Sequence, residues 1–285
     1  MTGLIARFTK HPDLHQSPMY ASLMREINWS VEGKAGSRLF YRTLGPFTIA
    51  KLQRPKTIDP DWINGFRKNH HALTTYIEPS LTNSFAGGLH VEPFAHSCTS
   101  LVDLKPSEQT ILNSFSQKTR YNITRTLKKA DIHVVTTPLG KLTQTQKDTF
   151  FSLHKSWSAS RQIFGYPLSL LNAVLKSFRQ SGDLLQCYQG HDLVGILLIL
   201  YHGRVATYYA AFATHEGYST FAPTLLTWTA MQTAKERGCS IFDFGGIYDP
   251  RYPKMYKKWI GFTHFKSGFN PTVISYPPTH LQLFW

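Results

Sequence analysis

The stretch from Ser240 to Phe269, SIFDFGGIYDPRYPKMYKKWIGFTHFKSGF, constrains this chain most. It opens on Ile241, Phe242, Asp243 and Phe244, a short apolar run that reads as a buried strand. Gly245-Gly246 ends that strand, because paired glycines reach backbone angles that other residues resist. A carboxylate therefore leaves a strand beside a tight turn. A basic, aromatic segment follows, with Arg251, Tyr252, Lys254, Tyr256, Lys257, Lys258 and Trp259. Phe265-Lys266 and Gly268-Phe269 close the stretch.

The rest of the chain sets bounds on what this stretch can serve. Its 285 residues allow one large domain or two small ones, and 42% hydrophobic content supports a real core. Thirty-one basic against 17 acidic residues leave a net charge of +14, which favours polyanionic partners. Cys98, Cys187 and Cys239 are far apart and form no metal-ligand spacing, so buried thiols in a reducing cytosol are expected, with no metal and no cofactor. MTGLIARFTKH holds no long apolar run, and Leu193–Leu200 is far short of the roughly 20 residues a spanning helix needs. A cytosolic monomer with peripheral contact at the membrane face is the expectation.

In chain order, Leu4–Phe8 reads as a strand, and Pro18 opens a helix running to about Ile27. Arg38–Leu52 reads as a hairpin around Leu44-Gly45-Pro46. Asp61–Asn69 reads as a helix, Ala72–Glu78 and Thr99–Leu104 as strands, and Leu81–His96 as a loop. Ser107 caps a helix over Ile111–Ala130, in which Lys118, Arg125 and Lys129 share one face. Between Glu108 and Asp131 no acid offsets these bases, so the face is either solvated or turned to phosphate. After a strand at Ile132–Thr136, Pro138–Thr143 reads as a linker into a second unit. That unit has a helix from Thr143 to about Trp157, a loop Ser158–Tyr166 and a helix Pro167–Gln180. A meander follows, Leu184–Gln189, Leu193–Tyr201 and Val205–Phe212, then a loop Thr214–Phe221 and a helix Ala222–Arg237 stopped by Gly238. Thr272–Tyr276 is the last predicted strand.

The order of carboxylate, glycine turn, cationic segment and Phe-Lys pair resembles the signature of the Fem-type peptidoglycan branching aminoacyltransferases. Gln16-Ser17-Pro18, Gly45-Pro46 and Ile77-Glu78-Pro79 are similar to further elements of that family. So are Asp103-Leu104 with Lys118-Thr119-Arg120-Tyr121-Asn122-Ile123, the Tyr208-Tyr209 pair, and Ala222-Pro223 through Gly238. The resemblance implies an α+β fold of two GNAT-like acyltransferase units packed together, without a coiled-coil arm. Residues 1–139, completed by a C-terminal strand at 272–285, would form the first unit, and 140–271 the second. It also implies transfer of an amino acid from aminoacyl-tRNA to a stem-peptide amine of a nucleotide- or lipid-linked peptidoglycan precursor.

That reaction is aminolysis of an activated ester, so alignment, amine deprotonation and oxyanion stabilisation suffice. By the resemblance, Lys266 is the cation beside the transferred group, with the backbone of Phe265 next to it. Asp243 either orients a cation or caps its turn, and Glu78 either acts as a base or forms a turn. Arg161, Tyr166 and Tyr208 match residues that hold the precursor, and Arg25 falls near a phosphate-contacting position. Lys254, Lys257 and Lys258, with Tyr256 and Trp259, combine cations with stacking surfaces suited to an RNA end. Two other classes stay open: an acyltransferase using CoA or another carrier, and a tRNA- or precursor-binding protein without catalysis. The stretch Thr214–Ala222 holds only Gly217, with Glu216 beside it, which disfavours a CoA pyrophosphate cradle.

Overall fold

Leu39 and Phe40 are both fully buried yet belong to different apolar clusters. Side chains alternate across a strand, so two buried neighbours require cover on both faces of their sheet. The computed structural model describes residues 3–129, 131–162 and 165–283 and supplies that cover. Leu39 packs with Ile63 and Phe66 of the helix Pro60–Asn69, and Phe40 with Ala21 and Met24 of the helix Pro18–Glu26.

The strands are β1 (Ser30–Lys34), β2 (Ser37–Leu44), β3 (Phe47–Gln53), β4 (Ala72–Glu78), β5 (Leu89–Val91), β6 (Cys98–Asp103), β7 (Ile132–Pro138), β8 (Gly182–Gln189), β9 (Asp192–His202), β10 (Val205–Ala213), β11 (Ile241–Gly246), β12 (Thr272–Ser275) and β13 (Thr279–Leu283). One sheet runs β1-β2-β3-β4-β13-β5. Its only parallel pair among these, β3 with β4, is joined by the helix Pro60–Asn69, since parallel strands need a crossover. In the other sheet β6, β11, β10, β9, β8 and β7 are successive neighbours. There β7 to β10 form an antiparallel meander. β10 and β11 are parallel, and the helix Ala222–Glu236 crosses between them. Leu225, Trp228 and Met231 of that helix share a core with Leu197, Ile199, Phe242 and Phe244.

The chain falls into two compact units. One holds the chain up to Thr99, Gly246–Ile260 and the chain from Val273 onward; the other holds Ser100–Gly245 and Gly261–Thr272. The first division thus falls at Thr99, not at residue 139. β7 pairs with β8 from Ile132 to Pro138, which commits it to the second unit's sheet. β13 lies between β4 and β5 and returns the tail to the first unit.

Several local expectations are corrected. Gly3–Phe8 is helical, not extended. The single helix expected over Ile111–Ala130 is two, Glu108–Ser114 and Gln117–Leu127, with Ala130 outside the described residues. Ser116 restarts the helix, its hydroxyl accepting the Thr119 N–H at 3.3 Å. The expected loops contain β5 and a short helix, His215–Ser219, and the single C-terminal strand expected over 272–285 is two, β12 and β13, divided at Pro277-Pro278. In the loop Ser158–Tyr166, Ile163 and Phe164 lie outside the described residues.

The separated segments of the first unit are stapled by one carboxylate. Asp249, 1% exposed, accepts Ser97 Oγ at 2.5 Å and Arg251 Nη2 at 2.8 Å, while Arg251 Nη1 donates to the Tyr276 carbonyl at 2.9 Å. Burial alone would raise its pKa, but the donors of Arg251 and Ser97 outweigh burial and hold it at about 2, below the ordinary 3.8. A depressed carboxylate contributes stability that is complete above its unfolded pKa and lost as pH falls through its folded one. Urea unfolding from about pH 5 to about pH 2 is therefore expected to reveal a loss of about 2 kcal/mol that Asp249→Asn lacks; equal slopes in both proteins would contradict the staple.

Candidate active site

β10 and β11 begin side by side and then part. Val205, Ala206 and Thr207 pair with Ile241, Phe242 and Asp243, and the register stops there, although both strands continue. On the other edge of β10 the register slips between Tyr208 and Ala210, leaving Tyr209 as an extra residue. Such a bulge bends and twists its strand. Beyond the paired stretch the Phe244 carbonyl accepts the Lys266 ammonium, Nζ donating at 2.8 Å. Lys266 belongs to the helix Ile260–Ser267 and is only 6% exposed. Its Nζ lies 5.5 Å from the Tyr208 ring centre and 5.0 Å from that of Phe262.

A lysine in such a place is costly to charge. Burial drives the Lys266 pKa down to about 7, against the upward pull of Asp243. Asp243 is itself buried, and its Oδ1 accepts the Gly245 N–H at 2.8 Å. Gly245 stands at φ +67, a left-handed angle that glycine reaches without strain. Asp243 thus closes the turn, and its charge lies near enough to raise the Lys266 pKa. Burial raises the Tyr208 phenol, so the ring stays neutral beside Lys266. Lys266, Asp243 and Tyr208 are brought together, and the neighbouring Phe265 packs edge-on to Phe269 at 5.4 Å. The site can present a cation, or an amine near its titration point, to an acyl carbonyl in the gap.

Arg161 and Tyr166 meet other aromatic partners in the second unit. The Arg161 guanidinium lies 4.9 Å over Tyr218, and half-exposed Tyr166 stacks on Tyr209 at 6.0 Å. Trp157 Nε1 donates to Tyr218 Oη at 3.1 Å. Sequence reading missed His154 beneath this group. It is buried, within 3.3 Å of Ser158 Oγ, and packs edge-on to Phe212 at 4.9 Å. Burial lowers its pKa, so the ring is neutral near pH 7. The spacing of His154 and Ser158, one helical turn, was the available signal.

The remaining expected residues belong to the first unit, with different outcomes. Glu78 accepts Phe94 N–H at 2.6 Å, Ala95 N–H at 2.9 Å and Gln53 Nε2 at 2.9 Å, the pattern of a turn-holding carboxylate. Arg25 is exposed on the last turn of its helix. Lys254, Lys257 and Lys258 are exposed, but Tyr256 is 1% exposed, its hydroxyl accepting from Ser97 N–H at 3.2 Å. Trp259 packs on the Tyr256 ring at 4.6 Å. The expected stacking surface is therefore partly core, because an aromatic residue among lysines satisfies helical burial as readily as RNA contact. The first unit also holds a cavity of about 340 Å³ lined by Lys10, Asp13, Arg54, Lys56 and Tyr276. Arg54 there is consumed by Asp13 at 3.1 Å and by the Tyr276 face at 3.6 Å.

Residues 117–258 match the GNAT acetyltransferase domain family. The crystal structure of FemX aligns with a TM-score of 0.79 at 15% identity, covering 99% of this chain and 95% of FemX. The fold is the Fem-type fold. The C-terminal domain of a lysylphosphatidylglycerol synthetase candidate from Agrobacterium fabrum aligns at 0.63 with 16% identity, covering 98% of this chain and 92% of that one. A tandem GNAT protein from the clavulanic acid biosynthesis pathway aligns at 0.53 with 10% identity, covering 90% and 83%. No curated protein matches the sequence. Domain match and Fem-type fold together support an acyltransferase built of two GNAT-like units. No described helix is long and apolar enough to cross a membrane.

The buried lysine has a thermodynamic signature. Its folded pKa lies below the ordinary 10.5, so between about 7 and 10.5 the unfolded chain binds the extra proton. Stability then rises with pH across that window, by up to about 1.4 kcal/mol per unit, relative to a chain lacking the amine. Urea unfolding at about pH 7 and about pH 9 should show the wild type gaining on Lys266→Met. A constant difference between the two would mean that Lys266 titrates as an exposed lysine.

Proposed function

We propose that the protein is an aminoacyltransferase that moves an amino acid from aminoacyl-tRNA to a stem-peptide amine of a peptidoglycan precursor. The observation that carries this reading is the buried Lys266 in the gap between β10 and β11. The stretch Thr214–Ala222 argues against CoA as the donor. The N–H groups of Gly217, Tyr218, Thr220 and Phe221 are spent on Thr214, Glu216 and Tyr218, so they do not face a pyrophosphate. Gly217 offers no cradle either, since a Cβ there would meet the Val194 carbonyl at 2.0 Å.

In the proposed reaction the acceptor amine attacks the ester carbonyl, a C–N bond forms, and the ester C–O bond to the ribose breaks. The amine proton is lost and the ribose oxygen gains one. Lys266, held partly charged by Asp243, stabilises the tetrahedral oxyanion. Arg161 offers a planar fork of donors to a precursor pyrophosphate, with Tyr166 and Tyr208 as flanking rings and Phe265 beside the lysine. Arg25, Lys254, Lys257 and Lys258 supply further contact for phosphates. The cytosol, with precursors at the membrane face, is the proposed setting. The likeness to a lysylphosphatidylglycerol synthetase domain favours, as a second reading, a lipid acceptor.

Labelled aminoacyl-tRNA incubated with nucleotide- and lipid-linked muropeptides should pass label to the muropeptide. Lys266→Ala, folded, should lose about 100- to 1,000-fold in kcat. Label entering phosphatidylglycerol vesicles instead would establish the second reading. Turnover of an acyl-CoA without transfer from any aminoacyl-tRNA would overturn both.

A further inference from the structure

The helix Gln117–Leu127 buries Thr119, Asn122, Ile123 and Thr126. Its opposite face carries Lys118, Tyr121 and Arg125, and Lys128 follows directly at its end. Steps of three, four and three residues place these four side chains in one row. Tyr121 is 62% exposed, the most open large hydrophobic side chain described. No Asp or Glu occurs between Glu108 and Asp131 to offset the cations. Arg120, on the same helix, is spent differently: its Nη1 donates to the carbonyls of Asn113 and Phe115 and fixes the preceding turn. Among the described residues no carboxylate forms a salt bridge with Lys118, Arg125 or Lys128.

A second aromatic ring meets the row at its C-terminal end. The Arg125 guanidinium lies 5.6 Å over the ring of Phe221, the residue before the 15-residue helix Ala222–Glu236. An open phenol ring among unpaired cations contributes nothing to the core. It is the arrangement that stacks an unpaired base while neutralising the phosphates beside it.

We infer that this face, Lys118, Tyr121, Arg125 and Lys128, docks single-stranded RNA. Under the function proposed above it receives the unpaired end of the donor tRNA, and in that respect it rests on that reading. RNA fits better than an anionic lipid surface. An interfacial helix needs a broad apolar face, whereas here Gln117 and Thr124 separate the cations and Leu127 is the one exposed aliphatic side chain. The face also supplies the exposed ring that Tyr256 and Trp259, being packed, do not.

The test is equilibrium binding of unacylated tRNA and of a short single-stranded RNA, across a salt series, by the full chain. The variants are Tyr121→Ala and the triple variant Lys118→Gln, Arg125→Gln, Lys128→Gln, with a Lys254→Gln, Lys257→Gln, Lys258→Gln triple for comparison. Three phosphate contacts at about 0.7 each predict that the first triple flattens the log–log salt slope by about 2. Tyr121→Ala should weaken binding about tenfold with the slope unchanged. Unchanged affinity and slope in the first triple would overturn the inference. So would loss confined to the Lys254 triple, or binding to phosphatidylglycerol vesicles, but not RNA, through Lys118, Arg125 and Lys128. Binding is read without turnover, so the two claims separate. RNA docking here with transfer only from acyl-CoA would sink the donor reading, and transfer from tRNA with an unaffected triple would sink this face.

Discussion

The bond from Lys266 Nζ to the Phe244 carbonyl is the interaction on which the candidate chemistry depends. It lies just past the last paired residues of β10 and β11, Thr207 and Asp243. Just beyond, Tyr209 is bulged in β10 and Gly245 takes a left-handed angle in β11. The carbonyl acceptor, together with the field of Asp243, makes a buried ammonium tolerable. The same cost that makes the position expensive for the fold leaves the amine near its titration point, where a group can both stabilise charge and exchange a proton.

Other buried charges in the chain show the contrast. Asp183, fully buried, accepts Tyr201 Oη at 2.7 Å and Arg237 Nη2 at 2.6 Å. Asp13 accepts His15 Nδ1 at 2.6 Å and Arg54 Nη1 at 3.1 Å, and its pKa stays well below the ordinary range despite burial. Asp249 and Glu78 are similarly supplied with donors. These carboxylates fasten segments together. At Lys266, by contrast, burial brings the pKa down to about 7.

Much of this was legible in the sequence where periodicity and glycine chemistry speak. The meander, the helix Ala222–Glu236, and the turn after Phe244 follow from apolar runs punctuated by glycine. Asp243 and Lys266 are each singled out by family resemblance, and nothing in their spacing shows that they meet. What stayed hidden was set by tertiary packing. Leu4–Phe8 is apolar enough for either a strand or a helix, and its neighbours decide. Ser116 could cap a helix or sit within one, so the break after Ser114 was not visible. Pro138–Thr143 looks like a linker, yet β7 before it is bonded along its length to β8. Tyr256 reads as exposed beside lysines and is core, whereas Tyr121 reads as ordinary and is the open ring. Whether an aromatic faces inward depends on what the fold puts opposite it.

The most direct measurement is a crystal structure with a stable amide analogue of a 3′-aminoacyl adenosine, accompanied by a soak in CoA. The account predicts the analogue's acyl carbonyl in the gap between β10 and β11, within hydrogen-bonding distance of Lys266 Nζ, and no CoA beside Thr214–Ala222. An analogue bound away from Lys266, or CoA seated along the start of the helix Ala222–Glu236 with its thiol at the gap, would contradict it.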